Sequence, residues 1–281
     1  MRIKITSDST CDLTPALIAR HDITIFPLTI IKGDGEFLDG VEITPEDIFE
    51  YVESGAGITH TSAVNVSDFG EKFAVFSKDY DAVIHVSLGG DFSACCQNAM
   101  IAASDFDNVF VVDSRNLSSG VGHLVLDAAE MAKAGLTASE IVSKLKALVP
   151  TVDASFVIDS LKYLYRGGRC SGIAALGANV LKLKPCIEVD DSKMTVGRKY
   201  RGDFDKVILQ YITDRLKDRD DIDTRRIFIT HASGVKPAVI ERVMETIQSL
   251  QNFDEIIESI AGCTISHHCG PVCLGILYYR K

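Results

Sequence analysis

Runs of β-branched and other apolar residues alternate along this chain with segments of helical pattern, and that alternation is typical of the α/β class. In the first half the predicted strands are Ile3–Ser7, Ile23–Ile30, Ala82–Ser87 and Asn108–Asp113. In the second half they are Ala154–Ile158, a hairpin over Cys186–Arg201 that turns at Asp190–Lys193, Arg226–Ala232, Glu255–Ile260 and Leu274–Tyr279. Pro27 lies within the second run and places that strand at a sheet edge or a bulge.

Helix starts are marked by capping residues. Thr14 and Thr44 each precede a proline, and Thr137 opens a capping box, so a helix is predicted after each of them. The third helix ends near Pro150, where the pattern resets. We therefore predict two α/β domains, an N-terminal one over 1–150 and a C-terminal one over 151–281. A pair of such domains usually holds its ligand in the crevice between them, which is an expectation from fold class alone.

The charge balance limits the partners of the chain. Its 281 residues contain 29 Lys and Arg against 39 Asp and Glu, a formal net charge of −10. Phosphate backbones and anionic membranes attract basic surfaces, so non-specific binding to nucleic acid is not expected. The sequence has no run of about 18 apolar residues that would span a bilayer. Its first ten residues lack the apolar stretch of a secretory signal, so a cytoplasmic location is predicted.

Eight cysteines are then expected to be reduced, buried thiols. The cluster most suggestive of a metal site is near the carboxyl terminus and consists of Cys263, His267, His268, Cys269 and Cys273. It contains no C-x2-C pair, and the two adjacent histidines would point in opposite directions in an extended segment. No metal site is predicted.

Four polar loops are candidates for ligand binding, because common phosphate-binding and catalytic motifs are absent from the sequence. Thr6–Thr10 ends the first predicted strand. Its side chains either bind a ligand or cap the following turn, and we favour the cap. Thr59–Val64 carries hydroxyls that suit a carboxylate or phosphate, or only a turn. Ser93 stands at a predicted helix start, where it serves an anion site or a simple N-cap. Arg166 and Arg169 flank two glycines in a predicted flexible loop, where they bind an anion or an acidic partner, or are only solvated.

A fifth candidate is the segment Gly262–Ile276, in which two histidines precede Cys-Gly-Pro. A histidine in a Gly/Pro turn between two apolar runs is poorly explained as core filling. One of the two rings is therefore expected to donate to a bound anion while the other faces away.

Together these loops resemble the DegV family, the bacterial fatty-acid-binding proteins that include the acyl-binding subunit of fatty acid kinase. The matching segments occur in the family's order over nearly the whole chain: TSDSTCDL (within 5–13), PLTI, FLDG (37–40), TSAVNVSDF (61–69), FSACCQNA (92–99), VVDS (111–114), LYRGGR (164–169), KPCIEV (184–189) and HCGPVCLGI (268–276). No one segment is decisive, and the specificity comes from all nine together.

The resemblance implies a carrier that is not an enzyme by itself and uses no cofactor. Such proteins hold a long-chain fatty acid, such as palmitate, stearate or oleate, in a tunnel between two α/β domains. They present its carboxylate to a separate ATP-dependent kinase subunit, and the acyl phosphate formed feeds phospholipid synthesis. The family's carboxylate-binding positions match Thr61, Ser62, Ser93 and His268 here, and positions associated with kinase docking or the acyl phosphate match Arg169 and Arg201.

One segment departs from the family pattern. The family usually has S-G-T-Y-Q-S-A where this chain has Ser93 followed by Ala94 and Cys95. Alanine adds a methyl group near the head group, and cysteine replaces a strong hydroxyl donor. Carboxylate binding by Ser93 is still expected, while the chain preference and head-group geometry are open.

The alternative is a small-molecule transferase or hydrolase with Ser93 as nucleophile and His268 as base. The two residue types fit that chemistry, but no Asp or Glu that would orient the histidine is identifiable in the sequence. Turnover without a partner would favour the enzyme, and a stoichiometric bound lipid would favour the carrier.

Overall fold

The computed structural model describes residues 1–170 and 183–281. The strands are β1 (Ile3–Asp8), β2 (Thr24–Phe26), β3 (Thr29–Lys32), β4 (Gly35–Leu38), β5 (His60–Ser62), β6 (Ala82–Ser87), β7 (Val109–Asp113), β8 (Val152–Ile158), β9 (Leu183–Asp190), β10 (Lys193–Arg201), β11 (Ile222–His231), β12 (Glu255–Ile260) and β13 (Cys273–Arg280). The α-helices are α1 (Pro15–Arg20), α2 (Pro45–Glu53), α3 (Val66–Asp79), α4 (Cys95–Ala103), α5 (Ser119–Lys133), α6 (Ala138–Leu148), α7 (Leu161–Gly167), α8 (Phe204–Leu216), α9 (Pro237–Leu250) and α10 (Cys263–Cys269). The predicted α/β class is confirmed.

The first sheet is parallel, with strand order β2-β1-β6-β7. The chain leaves β1 toward β2 on one side and leaves β6 toward β7 on the other. The carboxyl ends of β1 and β6 therefore form a topological switch point, which is where open α/β sheets bind ligands. Asp8, at the end of β1, accepts hydrogen bonds from the amide of Leu88 (2.7 Å) and from Ser87 Oγ (3.3 Å), and so ties the two strand ends together.

The second main sheet is mixed, with strand order β10-β9-β8-β13-β11-β12; among these described strands β11 and β12 pair in parallel and the other neighbours are antiparallel. The predicted hairpin with its turn between Asp190 and Lys193 is confirmed by the pairing of β9 with β10. A small antiparallel sheet, β4-β3-β5, lies apart from both.

The prediction of one strand over Ile23–Ile30 is wrong. The chain forms β2 up to Phe26, passes Pro27 and Leu28, and enters a different sheet as β3 at Thr29. Proline has no amide hydrogen for a ladder, so it suits the point where a strand leaves its sheet. Leu28 is buried there, and its backbone oxygen accepts from Asp39 N at 2.9 Å.

The predicted capping of three helices is confirmed. The Thr14 hydroxyl accepts from Leu17 N at the start of α1. Thr44 and Thr137 each form a complete capping box with the acidic residue three positions later, which satisfies amides that a helix start leaves unpaired.

Helix α5 lies between the two main sheets. The eleven residues Ser119–Ala129 are all buried, and the helix packs against β1 and β6 of the first sheet and against β8 and β13 of the second. One continuous apolar cluster accordingly includes side chains from both sheets and from α5, for example Ile84, Phe228 and Val125. The predicted domain boundary at residue 150 falls in a 3-10 turn, Val149–Thr151, between strands of the two sheets, but the core is shared across it. The division into domains stays a prediction.

Over the residues that the structure describes, none of the helices combines the length and the apolar content needed to cross a bilayer.

Candidate functional site

A cavity of about 380 Å³ lies between the two halves of the chain, next to the switch point of the first sheet. That volume is within the range of small-molecule sites, about 300–1,000 Å³. Residues before position 150 supply Leu28, Thr61, Ser62, Ala63, Leu88, Phe92, Ser93, Ala94 and Leu117. Residues after it supply Phe156, Leu164, Arg169, Met194, Thr264, Ile265, His268 and Cys269. Most of this lining is apolar, and the polar side chains are few.

The structure brings five of the six predicted site residues to this cavity. They are Thr61, Ser62, Ser93, His268 and Arg169. Arg201 lies elsewhere: it is exposed at the end of β10, opposite Leu183 of β9, and it does not line this cavity or the two smaller cavities beside it.

Ser93 precedes α4, whose first helical residue is Cys95, so the predicted helix start is correct to within two residues. Its hydroxyl accepts from Cys95 N at 3.2 Å. The same hydroxyl also forms a side-chain hydrogen bond with the Cys95 thiol, which is a weak acceptor that a ligand carboxylate would replace. Ala94 also lines the cavity, whereas the thiol-bearing Cys95 is fully buried in the neighbouring core.

His268 lies on α10, and the expectation of a Gly/Pro turn at this histidine is wrong. The turn begins one residue after the helix, at Gly270, whose φ of 81° suits glycine. Burial, and to a lesser extent the neighbouring His267 and Arg169, lower the pKa of His268 to about 3, so its ring is neutral at pH 7. Its Nδ1 atom is buried and has no hydrogen-bond partner among the described residues. A neutral imidazole still carries one N–H, which donates to an anion.

The ring of His268 packs directly on the last residue of α7, Gly167. A Cβ atom at that position would lie 3.2 Å from Cε1 and 3.3 Å from Cγ of the ring, and closer still to Nδ1. Helices α7 and α10 are in contact at this point because Gly167 has no side chain.

His267 faces a different, smaller cavity of about 150 Å³. Its Nδ1 is 2.7 Å from Oγ1 of Thr59, and its ring lies 4.6 Å from that of His268 at an angle of 78°. Because the segment is helical, the two adjacent histidines are rotated by about 100° about the helix axis, whereas in an extended strand they would point in opposite directions. The expectation that the two rings face different surroundings holds, but the conformation that produces it is not the predicted one.

Arg169 lines both cavities, and so does Thr61. The guanidinium of Arg169 donates from Nη1 to the Gly167 carbonyl at 2.7 Å. The predicted flexible basic loop is in part helical, since Arg166 lies in the last turn of α7 and only Gly168, with φ of 69°, begins the loop. The exposed guanidinium groups of Arg166 and Arg169 make this the cationic mouth of the site on an acidic chain.

A third cavity, of about 30 Å³, adjoins the main one between the two sheets. The two share four lining residues: Leu117, Phe156, Ile265 and Cys269. Its exposed lining is almost entirely apolar. The cavities therefore run from a cationic mouth, past hydroxyl and imidazole groups, to an apolar interior.

The preference for capping at Thr6–Thr10 is confirmed in the structure. Asp8 accepts from Thr10 N (3.1 Å) and Thr10 Oγ1 (2.5 Å) at the 3-10 turn that follows β1, and its side chain is fully buried. Sequence reasoning missed Thr264, which lines the main cavity one helical turn before His268. The i, i+4 spacing with His268 was the available signal, and it is informative only once α10 is known to be helical.

All eight cysteines are buried. Among the residues described, no group of three or more His, Cys, Asp and Glu has an arrangement that would hold a metal ion. Within the same part of the chain, no carboxylate contacts a ring nitrogen of His268, and no hydrogen bond joins His268 to Ser93.

Comparison with known proteins gives consistent results. The family model described as DegV, a family of uncharacterised proteins, matches residues 2–281. A DegV domain-containing protein of Caldanaerobacter subterraneus subsp. tengcongensis is 34% identical over 283 residues, which cover 100% of this chain and 99% of the relative. The structure of a fatty-acid-binding DegV family protein from Thermus thermophilus superimposes with a TM-score of 0.89 at 28% identity, covering 100% of both chains. A stearic acid-binding protein from Eubacterium ventriosum matches with a TM-score of 0.83 at 25% identity, over 99% of this chain and 98% of that one.

Proposed function

The chain belongs to the DegV family, and from that membership and the geometry of its cavity we propose that it binds one long-chain fatty acid such as palmitate, stearate or oleate. Thr61, Ser62, Ser93 and His268 contact the carboxylate, and the acyl chain lies toward Phe156 and the apolar cavity between the sheets. The fatty acid is a bound ligand, not a cofactor.

The observation that carries this proposal is the polarity gradient along the connected cavities. Hydroxyl and imidazole groups stand together at one end of a mostly apolar space, with the guanidinium of Arg169 at the mouth. The other end continues between the sheets past Leu117 and Phe156. An amphipathic molecule with an anionic head and a long apolar tail matches that gradient, whereas a compact polar metabolite would leave the apolar lining uncovered.

The energetics favour retention of such a ligand. Burying a methylene contributes about 0.8 kcal/mol, so ~14 of them contribute about 11 kcal/mol before the cost of ordering the ligand is subtracted. Because a carboxylate buried without partners is costly, the hydroxyl and imidazole donors mainly fix its position and offset its desolvation. The neutral state of His268 suits this role, since one ring N–H donates without a change of protonation.

We further propose that the protein is a carrier that presents the carboxylate to a separate ATP-dependent kinase subunit, which forms an acyl phosphate for phospholipid synthesis in the cytoplasm. Arg169, and Arg201 at the end of β10, serve kinase docking or contact the acyl phosphate. Both side chains are exposed, as docking requires. The alternative of a hydrolase built on Ser93 and His268 is less favoured, because the ring has no orienting carboxylate in the described chain.

The first experiment is mass spectrometry of the freshly purified protein, first under native conditions and then after solvent extraction. We expect one fatty acid per chain, which is released on denaturation. A protein that is empty and also takes up no added palmitate or oleate would contradict the carrier.

Variants then assign the site. Ser93→Ala and His268→Ala should each weaken fatty-acid retention, whereas Ser249→Ala, at an exposed helix end far from the cavity, should not. Arg169→Glu should impair kinase-coupled phosphorylation more than binding. Equal losses of binding and phosphorylation in Arg169→Glu would indicate a structural role for that residue.

A further inference from the structure

The helix that carries His268 has no N-terminal cap of its own. Helix α10 has only seven residues, and its N-cap position is Gly262, which has no side chain to accept a hydrogen bond. Isolated helices of this length are unstable in water, so α10 depends on contacts from the rest of the protein.

Two acidic side chains from the other half of the chain supply the missing cap. Asp12 Oδ1 accepts from Gly262 N at 2.8 Å. Asp39 accepts from the next two amides, with Oδ1 2.9 Å from Cys263 N and Oδ2 3.1 Å from Thr264 N. Three consecutive amides at the positive end of the helix dipole are thereby paired with acidic groups.

Asp39 is held firmly in this position. Its side chain is 4% exposed, and Oδ2 also accepts from Thr264 Oγ1 (2.6 Å) and Ser9 Oγ (3.0 Å). Ser9 Oγ in turn accepts from Leu28 N at 3.1 Å, which connects the carboxylate to a residue of the cavity wall. In the part of the chain that the structure describes, no Lys or Arg forms an ion pair with Asp39, and every hydrogen-bond donor to its side chain other than Ser9 belongs to α10.

The orientation of α10 determines where its side chains enter the cavity. Four residues of this helix line the main cavity: Thr264, Ile265, His268 and Cys269. They lie on one face, and His268 is about 6 Å along the axis from Thr264. A change of direction at the capped end therefore moves the imidazole relative to Thr61 and Ser93, which belong to the other half of the chain.

We propose that Asp39 is a positioning residue of the head-group site: by capping α10 across the two halves, it places the imidazole of His268 against the hydroxyls of Thr61 and Ser93. The inference rests on the proposed function, since the hydroxyls and the imidazole form a head-group site only where the cavity holds a carboxylate. Asp12 assists by holding the preceding amide.

Asp39→Asn is the most direct test. The variant keeps one oxygen that accepts from Cys263 N, but its amide nitrogen cannot accept from Thr264 N, Thr264 Oγ1 or Ser9 Oγ, so three donors lose their partner. We expect about a 10-fold loss of affinity for a fluorescent fatty acid, the size expected when one hydrogen bond to a charged ligand is lost. The milder Ser9→Ala, which removes one bond to Asp39, should lose less affinity and covers the case in which Asp39→Asn does not fold.

Asp127→Asn is the matched control. Asp127 is also 4% exposed and also bridges the halves, through Arg226 at 3.1 Å, but it lines none of the connected cavities. It should lower the stability to urea and leave affinity within about twofold of the parent protein. A purely structural role for Asp39 would make its variant behave in the same way.

A double-variant cycle and NMR complete the experiment. The loss caused by His268→Ala should shrink in the Asp39→Asn background, because the imidazole is already misplaced there. In protein with ¹⁵N-labelled histidine, the ring signal of His268, assigned with His268→Gln, should shift in Asp39→Asn and not in Asp127→Asn. Additive affinity losses, or a folded Asp39→Asn protein with parental affinity and an unmoved His268 signal, would overturn the inference. Failure of the proposed function is a separate result: the parent protein itself would take up no fatty acid, while the NMR comparison would still report on the position of the ring.

Discussion

Replacing Gly167 by alanine tests whether the contact between α7 and α10 sets the geometry of the head-group site. The added methyl group would lie 3.2 Å from Cε1 and 3.3 Å from Cγ of His268, and closer still to Nδ1. Non-bonded heavy atoms settle about 3.5 Å apart, so the ring has to retreat by about 1 Å. The ring has little freedom to do so, because it also packs against His267.

The size of the effect follows from this overlap. Overpacking of a filled interior costs about 1–3 kcal/mol, and the better helix propensity of alanine returns at most about 1 kcal/mol. We therefore expect the free energy of unfolding to fall by up to about 3 kcal/mol. A displaced imidazole also loses its hydrogen bond to the carboxylate, which predicts about 10-fold weaker binding of a fatty acid.

Urea unfolding and displacement of a fluorescent fatty acid measure the two effects. Gly70→Ala is the control: it lies within α3 with no atom within 4 Å of an added Cβ, so it should preserve binding and leave stability unchanged or slightly raised. In Gly167→Ala combined with His268→Ala the overlap disappears, and stability should recover relative to Gly167→Ala alone. If the single variant is as stable and binds as tightly as the parent, or if removing the ring restores nothing, the steric explanation is refuted.

Three further predictions concern stability and reactivity. Burial lowers the pKa of four histidines from 6.5 to about 3 or 4; they are His85, His123, His267 and His268. Below pH 6.5 the unfolded chain binds protons on these rings and the folded chain does not. The stability that is present above pH 6.5 is therefore lost as the pH falls. Burial raises the pKa of Asp12 to about 8, which changes stability in the opposite direction. The net loss in the free energy of unfolding between pH 7 and pH 5 is at most roughly 5 kcal/mol. Equal urea midpoints at the two pH values would contradict this prediction. Arg215→Ala should cost about 3–5 kcal/mol in urea unfolding because Asp153 then stays buried without its main partner, whereas Arg198→Ala, which removes an exposed side chain, should cost less than about 1 kcal/mol. All eight buried thiols should resist a thiol reagent such as DTNB in the native protein and react on unfolding, and rapid labelling of the native state would contradict their burial.

Local signals explain the parts of the fold that could be predicted. Thr44 and Thr137 carry their capping boxes within four residues, and the hairpin at Asp190 turns between two runs of strand type. Each of these features depends on neighbouring residues, so the sequence contains the information in one place. The split at Pro27 is different, because it requires knowing that the next residues pair in another sheet.

Helix α10 shows why the site was only partly predictable. Its residues have no more than moderate helix propensity, and a glycine precedes them. The acidic residues that cap it, Asp12 and Asp39, are 250 and 224 residues away from the amides they accept from. No local pattern reports such a cap, so His268 was identified as a candidate while its helix, and Thr264 with it, was not.

The position of α5 between the two sheets has a consequence for folding. A fragment that ends at residue 150 would leave the face of this helix that packs on β8 and β13 exposed to water, and the complementary fragment would leave its sheet uncovered. We therefore expect that neither piece folds on its own and that the intact chain unfolds in one cooperative transition. A recombinant of two relatives that exchanges one half must also keep the surface of α5 complementary to the sheet it packs on, because this helix packs against the sheets of both halves.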